Sequence, residues 1–133
     1  MKLIVGLGNP GFSYKDSRHN VGFSVVKALG KRNKASFKKE AGARALTAKI
    51  KVDDLAVLLA MPLTYMNLSG EAVSSLCRKH KISNSDLLVV VDDLDLELGR
   101  LRIRPSGSSA GHRGLQSIIE SLGSSDIARL RIG

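Results

Sequence analysis

Three short apolar runs constrain the fold of this chain more than any other feature. Leu3 to Val5, Ala56 to Met61 and Leu87 to Val91 are continuous rather than alternating, as in strands buried on both faces. Helical spacing separates them. Val21, Val25 and Leu29 fall at i, i+4 and i+8, and Val73, Leu76, Cys77 and Ile82 form a second stripe. Leu115, Ile118, Ile119 and Leu122 form a third, ended by Gly123. Leu101 and Ile103 alternate with arginines as a half-exposed strand, and Arg129 to Ile132 alternates likewise. Strands interleaved with helices predict an α/β fold. With 133 residues, 43% of them hydrophobic, one core is expected. The reading is a single domain over residues 1–133, a twisted mixed sheet with helices on both faces. Lys31 to Lys39 reads as a basic loop, and Cys77 as a core residue.

Charge narrows the partners. Lysine and arginine number 21 against 12 acidic residues, a net charge of +9. Such a chain is drawn to a polyanion, and nucleic acid is the first to consider; a merely soluble basic protein is the alternative. A single cysteine excludes an internal disulfide, and no apolar run is long enough to cross a bilayer. A cytoplasmic monomer without membrane contact is expected.

In parallel α/β sheets the functional crevice lies beyond the carboxyl ends of the strands. After the first run comes Gly6-Leu7-Gly8-Asn9-Pro10-Gly11, then Tyr14, Arg18 and His19. After Ala56 to Met61 comes Pro62 through Gly70, carrying Tyr65, Met66 and Asn67; after Leu87 to Val91 comes Asp92-Asp93-Leu94-Asp95. A histidine, an aspartate and two asparagines are thereby directed to one rim. His19 precedes the first helix, with Asn20 as the expected N-cap, so the positive helix end favours a neutral imidazole. A carboxylate such as Asp92 would fix the ring tautomer and stabilise the imidazolium formed on proton uptake. The competing reading is a histidine satisfied at a helix end and an aspartate making a turn.

Four other patterns compete. Gly6-x-Gly8-x-x-Gly11 matches a dinucleotide fingerprint, but Pro10 removes an amide donor and the acidic residue expected downstream is replaced by Lys31-Arg32-Asn33-Lys34. Gly107-x-Ser109-x-Gly111 matches a nucleophile elbow, yet no histidine follows His112. Asp92, Asp93 and Asp95 lack the His or Cys company of a dedicated metal site, and no metal is expected. Arg78-Lys79-His80-Lys81 falls where the second helix ends, where cations suit the helix dipole, and His80 is expected at the surface.

Taken together, Val5 through Gly11, Tyr14 with Arg18-His19-Asn20, Pro62 through Gly70, Asp92 through Leu96, Gly111-His112 and Arg129 through Gly133 resemble bacterial-type peptidyl-tRNA hydrolase, in family order along the whole chain. The resemblance implies hydrolysis of the ester between a peptide and the terminal ribose of tRNA, without a cofactor. It implies His19 as general base for water, Asp92 as its orienting partner, and Asn67 as a positioning amide. Asn9 would distinguish a blocked amino group from a free one, and Tyr14, Tyr65 and Met66 would line the path of the tRNA terminus, with core or rim packing as the alternative. Arg102 and Arg104 project to one face of their strand and match family positions that clamp acceptor-stem phosphates; Arg129 or Arg131 would extend that track. Two departures stand out. Arg113 replaces the family's asparagine, exchanging a group that donates and accepts for one that only donates; a tRNA-binding role is expected in its place. The chain also stops at Gly133 in mid-strand, and is read as lacking the family's carboxyl-terminal region. A non-catalytic RNA-binding protein on the same fold and a Ser109 esterase are the rival functions.

Overall fold

The structure, a computed structural model, describes residues 1–11 and 18–133. Tyr14 lies outside the described residues. At the centre of the sheet is β1 (Lys2–Gly6), flanked in parallel by β4 (Leu55–Pro62) and β5 (Leu87–Asp92). These are the three apolar runs, and Leu3, Val5, Leu59, Val89 and Val91 are all fully buried. β2 (Lys38–Glu40) and β3 (Ala45–Val52) extend the sheet antiparallel beyond β4. On the other side β7 (Ala128–Ile132) runs parallel to β5, and β6 (Leu101–Arg104) closes the edge antiparallel to β7. The order is β2-β3-β4-β1-β5-β7-β6.

Helices cover both faces. α1 (Val21–Arg32) packs Phe23 and Val26 against Met61, Ile4 and Leu46. α2 (Ser69–His80) and α3 (Arg113–Leu122) bury Val73, Leu76, Leu115 and Ile118 on the opposite face with Leu3, Val5, Val89 and Val91. The buried stripe of α1 differs from the expected Val21-Val25-Leu29: those residues are only partly buried, Leu29 packing against Ile50, Val57 and Leu59, while Gly22, Phe23, Val26 and Gly30 are buried. A Cβ on Gly22 would run into the backbone at Leu7 and Val90, and one on Gly6 into the Gly22 carbonyl. Counting apolar side chains misses a helix that docks through a glycine.

Two further departures have simple causes. The Lys31 to Lys39 stretch is not all loop: Lys31 and Arg32 complete α1, and Lys38 and Lys39 enter β2. The strand expected to be half exposed has all four residues exposed, Leu101 and Ile103 at 65% and 64%, because β6 is an edge strand.

Candidate active site

The polar segments after β1, β4 and β5 meet at one rim of the sheet. Beyond β1 the chain stays beside β5, since the Leu7 amide donates to the Val90 carbonyl at 3.0 Å. The Gly6–Gly22 approach brings the start of α1 onto the end of that strand pair, and the 3₁₀ turn Arg18–Asn20 carries His19 to the end of β5. Asn20 occupies the cap position of α1 without capping it; its side-chain oxygen accepts the Asn9 amide at 2.8 Å instead.

Asp92, the last residue of β5, is 7% exposed and lies between two histidines. Its Oδ2 is 2.8 Å from His19 Nδ1, and its Oδ1 is 2.8 Å from His112 Nε2. An ionised carboxylate only accepts, so both ring nitrogens are donors. For His112 this agrees with its other nitrogen: Nδ1 accepts the Leu115 amide at 3.2 Å, making His112 the N-cap of α3. His112 is therefore the Nε2–H tautomer. His19 donates from Nδ1, which leaves Nε2 to carry the lone pair, and its ring is 44% exposed. Burial alone would raise the Asp92 carboxyl, but the hydrogen bonds from His112 and His19 outweigh it and hold the group below the usual carboxylate range.

His19, Asp92, His112, Arg113 and Arg131 line a cavity of about 350 Å³. Arg113, the exposed first residue of α3, also lines an adjoining cavity of about 260 Å³ with Asn67 and Gln116. Asn67 is exposed on the 3₁₀ turn Met66–Leu68. Asn9 lines a third cavity, together with Pro10, Phe23 and Met61. Its Oδ1 accepts the Met66 amide at 3.2 Å, which joins the segment after β1 to the segment after β4. Tyr65 is 74% exposed, whereas Met66 is packed in the core and lines none of these cavities.

Register places Arg102 opposite Arg131 and Arg104 opposite Arg129, so four arginines share one face of the sheet. The outer pair on β6 is exposed. The inner pair is not available as an outward track: Arg129 and Arg131 are 1% and 7% exposed and bond to backbone carbonyls.

His112 is the member of this cluster least legible in the sequence. Its signal is positional: it immediately precedes α3. His80, expected at the surface, is mostly buried and lies 2.7 Å from Glu40, a partner brought by β2 from far along the chain.

The other patterns resolve. Ser109 is 8% exposed and its Oγ accepts the Gly111 amide at 3.3 Å. Both hydrogen-bonding nitrogens of His112 are engaged elsewhere, so that ring offers Ser109 no base. Asp93 accepts the Asp95 amide in a local turn. Among the described residues, His19, Asp92 and His112 form the one group with metal-ligand spacing. Coordination through His112 Nε2 would require the proton on Nδ1, facing the Leu115 N–H, so the donor pattern suits proton handling better than metal binding.

A histidine with an available ring nitrogen, oriented by a buried carboxylate at the rim of a mixed α/β sheet, defines a site for general-base chemistry. The family model described as peptidyl-tRNA hydrolase matches residues 3–133. A peptidyl-tRNA hydrolase from Desulforudis audaxviator is 54% identical over the whole chain, which spans 68% of that relative, and one from Chlorobium chlorochromatii is 50% identical, with 70% spanned. The crystal structure of peptidyl-tRNA hydrolase from Acinetobacter baumannii superposes with a TM-score of 0.94 at 34% identity, covering all of this chain and 68% of that one. The chain belongs to the peptidyl-tRNA hydrolase family.

Proposed function

We propose that this chain is an ester hydrolase that cleaves peptidyl-tRNA between the carboxyl end of the peptide and the terminal ribose, with His19 as general base. The observation that carries the assignment is the 2.8 Å bond from His19 Nδ1 to Asp92, which leaves Nε2 as the proton acceptor. Nε2 takes a proton from water as the oxygen attacks the ester carbonyl. The Asp92 carboxylate stabilises the imidazolium, which returns its proton to the departing ribose oxygen as the tetrahedral intermediate collapses. The products are a peptide acid and tRNA with its terminal hydroxyl restored.

The surrounding residues divide the substrate between them. Asn67 and Arg113, on adjoining walls, face the nucleotide side: Asn67 positions substrate or water through its amide, and Arg113 supplies a cation for the tRNA terminus. Asn9, oriented by its bond to the Met66 amide, reads the blocked amino group, and Tyr65 offers an exposed ring to the tRNA end. Arg102 and Arg104 grip acceptor-stem phosphates. Cytoplasmic action as a monomer, on tRNA released by aborted translation, belongs to the same proposal; no helix among the described residues is long and apolar enough to cross a membrane.

The direct test is incubation of the purified chain with an N-acetylated aminoacyl-tRNA. Release of tRNA is expected, with little release from the unblocked aminoacyl-tRNA. RNA binding without ester cleavage would overturn the proposal.

A further inference from the structure

The exposed face of α3 turns toward the cavity that adjoins the His19 cavity, and it carries a polar pair that the mechanism above leaves unused. Gln116 and Glu120 line this space of about 260 Å³ with Asn67 and Arg113; they lie one helical turn apart and both are exposed. The Gln116 Nε2 donates to Glu120 Oε1 at 3.0 Å. On an open helix such a pair is ordinary surface. Here it faces a second wall, because the turn Met66–Leu68 and the start of α2 are seated directly on α3. The Gly70 amide donates to Ser117 Oγ at 2.8 Å, and a Cβ on Gly70 would meet the Ser117 carbonyl, as one on Gly114 would meet the Met66 sulfur. Close contact holds the two walls together.

Hydrogen-bonding capacity decides what the pair can read. A carboxylate only accepts, so the amide nitrogen of Gln116 must be the end that faces Glu120, and the amide cannot turn over without losing that bond. Its second N–H and its Oε1 remain, a donor beside an acceptor in one plane. An amide in this state complements an edge that offers an amine beside a ring nitrogen, as adenine does. Gly111 and Arg113 border both cavities, so a ribose whose ester lies at His19 in one would place its base in the other. That volume is smaller than a site for a drug-sized ligand and suits a single ring system.

We propose that Gln116 is a specificity-determining residue that reads the terminal adenine of tRNA, its amide oriented by Glu120: Oε1 accepts the exocyclic amine, and the free N–H donates to a ring nitrogen. The inference rests on the reading of His19 given above and extends it to the nucleotide side. Because the base is tethered to a ribose held at His19, it cannot turn over to satisfy a reversed pattern. Hypoxanthine keeps the purine shape but carries a carbonyl in place of the amine, which sets acceptor against acceptor and leaves both unpaired.

The test compares kcat/KM for N-acetylated aminoacyl-tRNA ending in adenosine with that for the same tRNA ending in inosine. The unaltered protein should prefer adenosine by about five- to a hundred-fold, the range of a paired amide against the wrong base. In Gln116→Ala the preference should shrink to within about two-fold, through loss on the adenosine substrate alone. Glu120→Ala should act differently: the freed amide can turn over, so the preference falls because cleavage of the inosine substrate rises. Both positions are exposed, so neither substitution disturbs the core. Competition between uncharged tRNAs ending in adenosine and in inosine reads the same preference without cleavage, so that failure of the hydrolase reading and failure of this one are separable. Equal use and equal binding of the two ends by the unaltered protein, a preference that survives in Gln116→Ala, or an equal loss on both substrates in that variant would each overturn the proposal.

Discussion

His112 donates its Nε2 proton to Oδ1 of Asp92 at 2.8 Å, on the other oxygen from the one that holds His19. The carboxylate is thereby fixed in rotation by two donors. Because His112 is also the N-cap of α3, the helix on one face of the sheet and the turn before α1 on the other are joined through a single side chain. Orientation of the base is a property of the whole rim, built from segments that are distant in sequence.

Asp92→Asn is expected to separate geometry from charge. The amide keeps the shape but presents one N–H end to two groups that both donate, so one histidine must change tautomer or let go. With that and the loss of imidazolium stabilisation, kcat should fall by about a hundred- to ten-thousand-fold with KM changed far less. Single-turnover cleavage of N-acetylated aminoacyl-tRNA measures this.

Stability should depend on two histidine-paired carboxylates in acid. Asp92 is held below the usual range as described, and so is Glu40, where burial opposes but the bonds from His80 and Thr47 and the charges of His80 and Lys79 prevail. In the unfolded chain both titrate in the ordinary carboxylate range. Between the folded and unfolded values the unfolded chain binds more protons, so their contribution is complete above the ordinary range and is lost as pH falls through the folded values. Urea unfolding at a series of pH values should show this decline, and Glu40→Gln should flatten it; an unchanged slope would remove Glu40 from the account.

Arg102→Ala with Arg104→Ala should weaken tRNA binding without touching the chemistry. Both side chains are exposed on the edge strand, and each phosphate left without its arginine should reduce the slope of log K against log salt by about 0.7 to 0.9. Filter binding at several salt concentrations, beside kcat at saturating substrate, checks the division of labour.

Gly22→Ala tests the docking of α1. The added methyl would meet the backbone at Leu7 and Val90, which cannot yield as a side chain would. Destabilisation of about 1 to 3 kcal/mol is expected from such overpacking, with a fall in kcat because His19 rides on the start of this helix. Denaturant midpoints and turnover on the same preparation report both.

The parts of this molecule legible in the sequence are those with local signals. Continuous apolar runs marked β1, β4 and β5, and the polar segments beyond them placed His19 and Asp92 at one rim. β3 carries a local signal as well: Leu46, Ala48, Ile50 and Val52 alternate with Thr47, Lys49 and Lys51, and Asp53 and Asp54, both at positive φ, make the two-residue turn into β4. What the sequence does not carry is long-range pairing. The inward aim of Arg129 and Arg131 follows from their register against β5, where Val89 and Val91 lie in the core, and the burial of His80 follows from Glu40 on a distant strand. The role of His112 depends on a ring nitrogen capping a helix, which residue spacing alone does not reveal.

The claim on which the rest depends is that His19 removes the proton from water. Single-turnover hydrolysis of N-acetylated aminoacyl-tRNA by His19→Ala, with tRNA affinity measured on the same protein, tests it most directly. Cleavage slower by at least about a hundred-fold, with affinity within a few-fold of the unaltered chain, is the expected result. Cleavage at the original rate in His19→Ala would contradict the account.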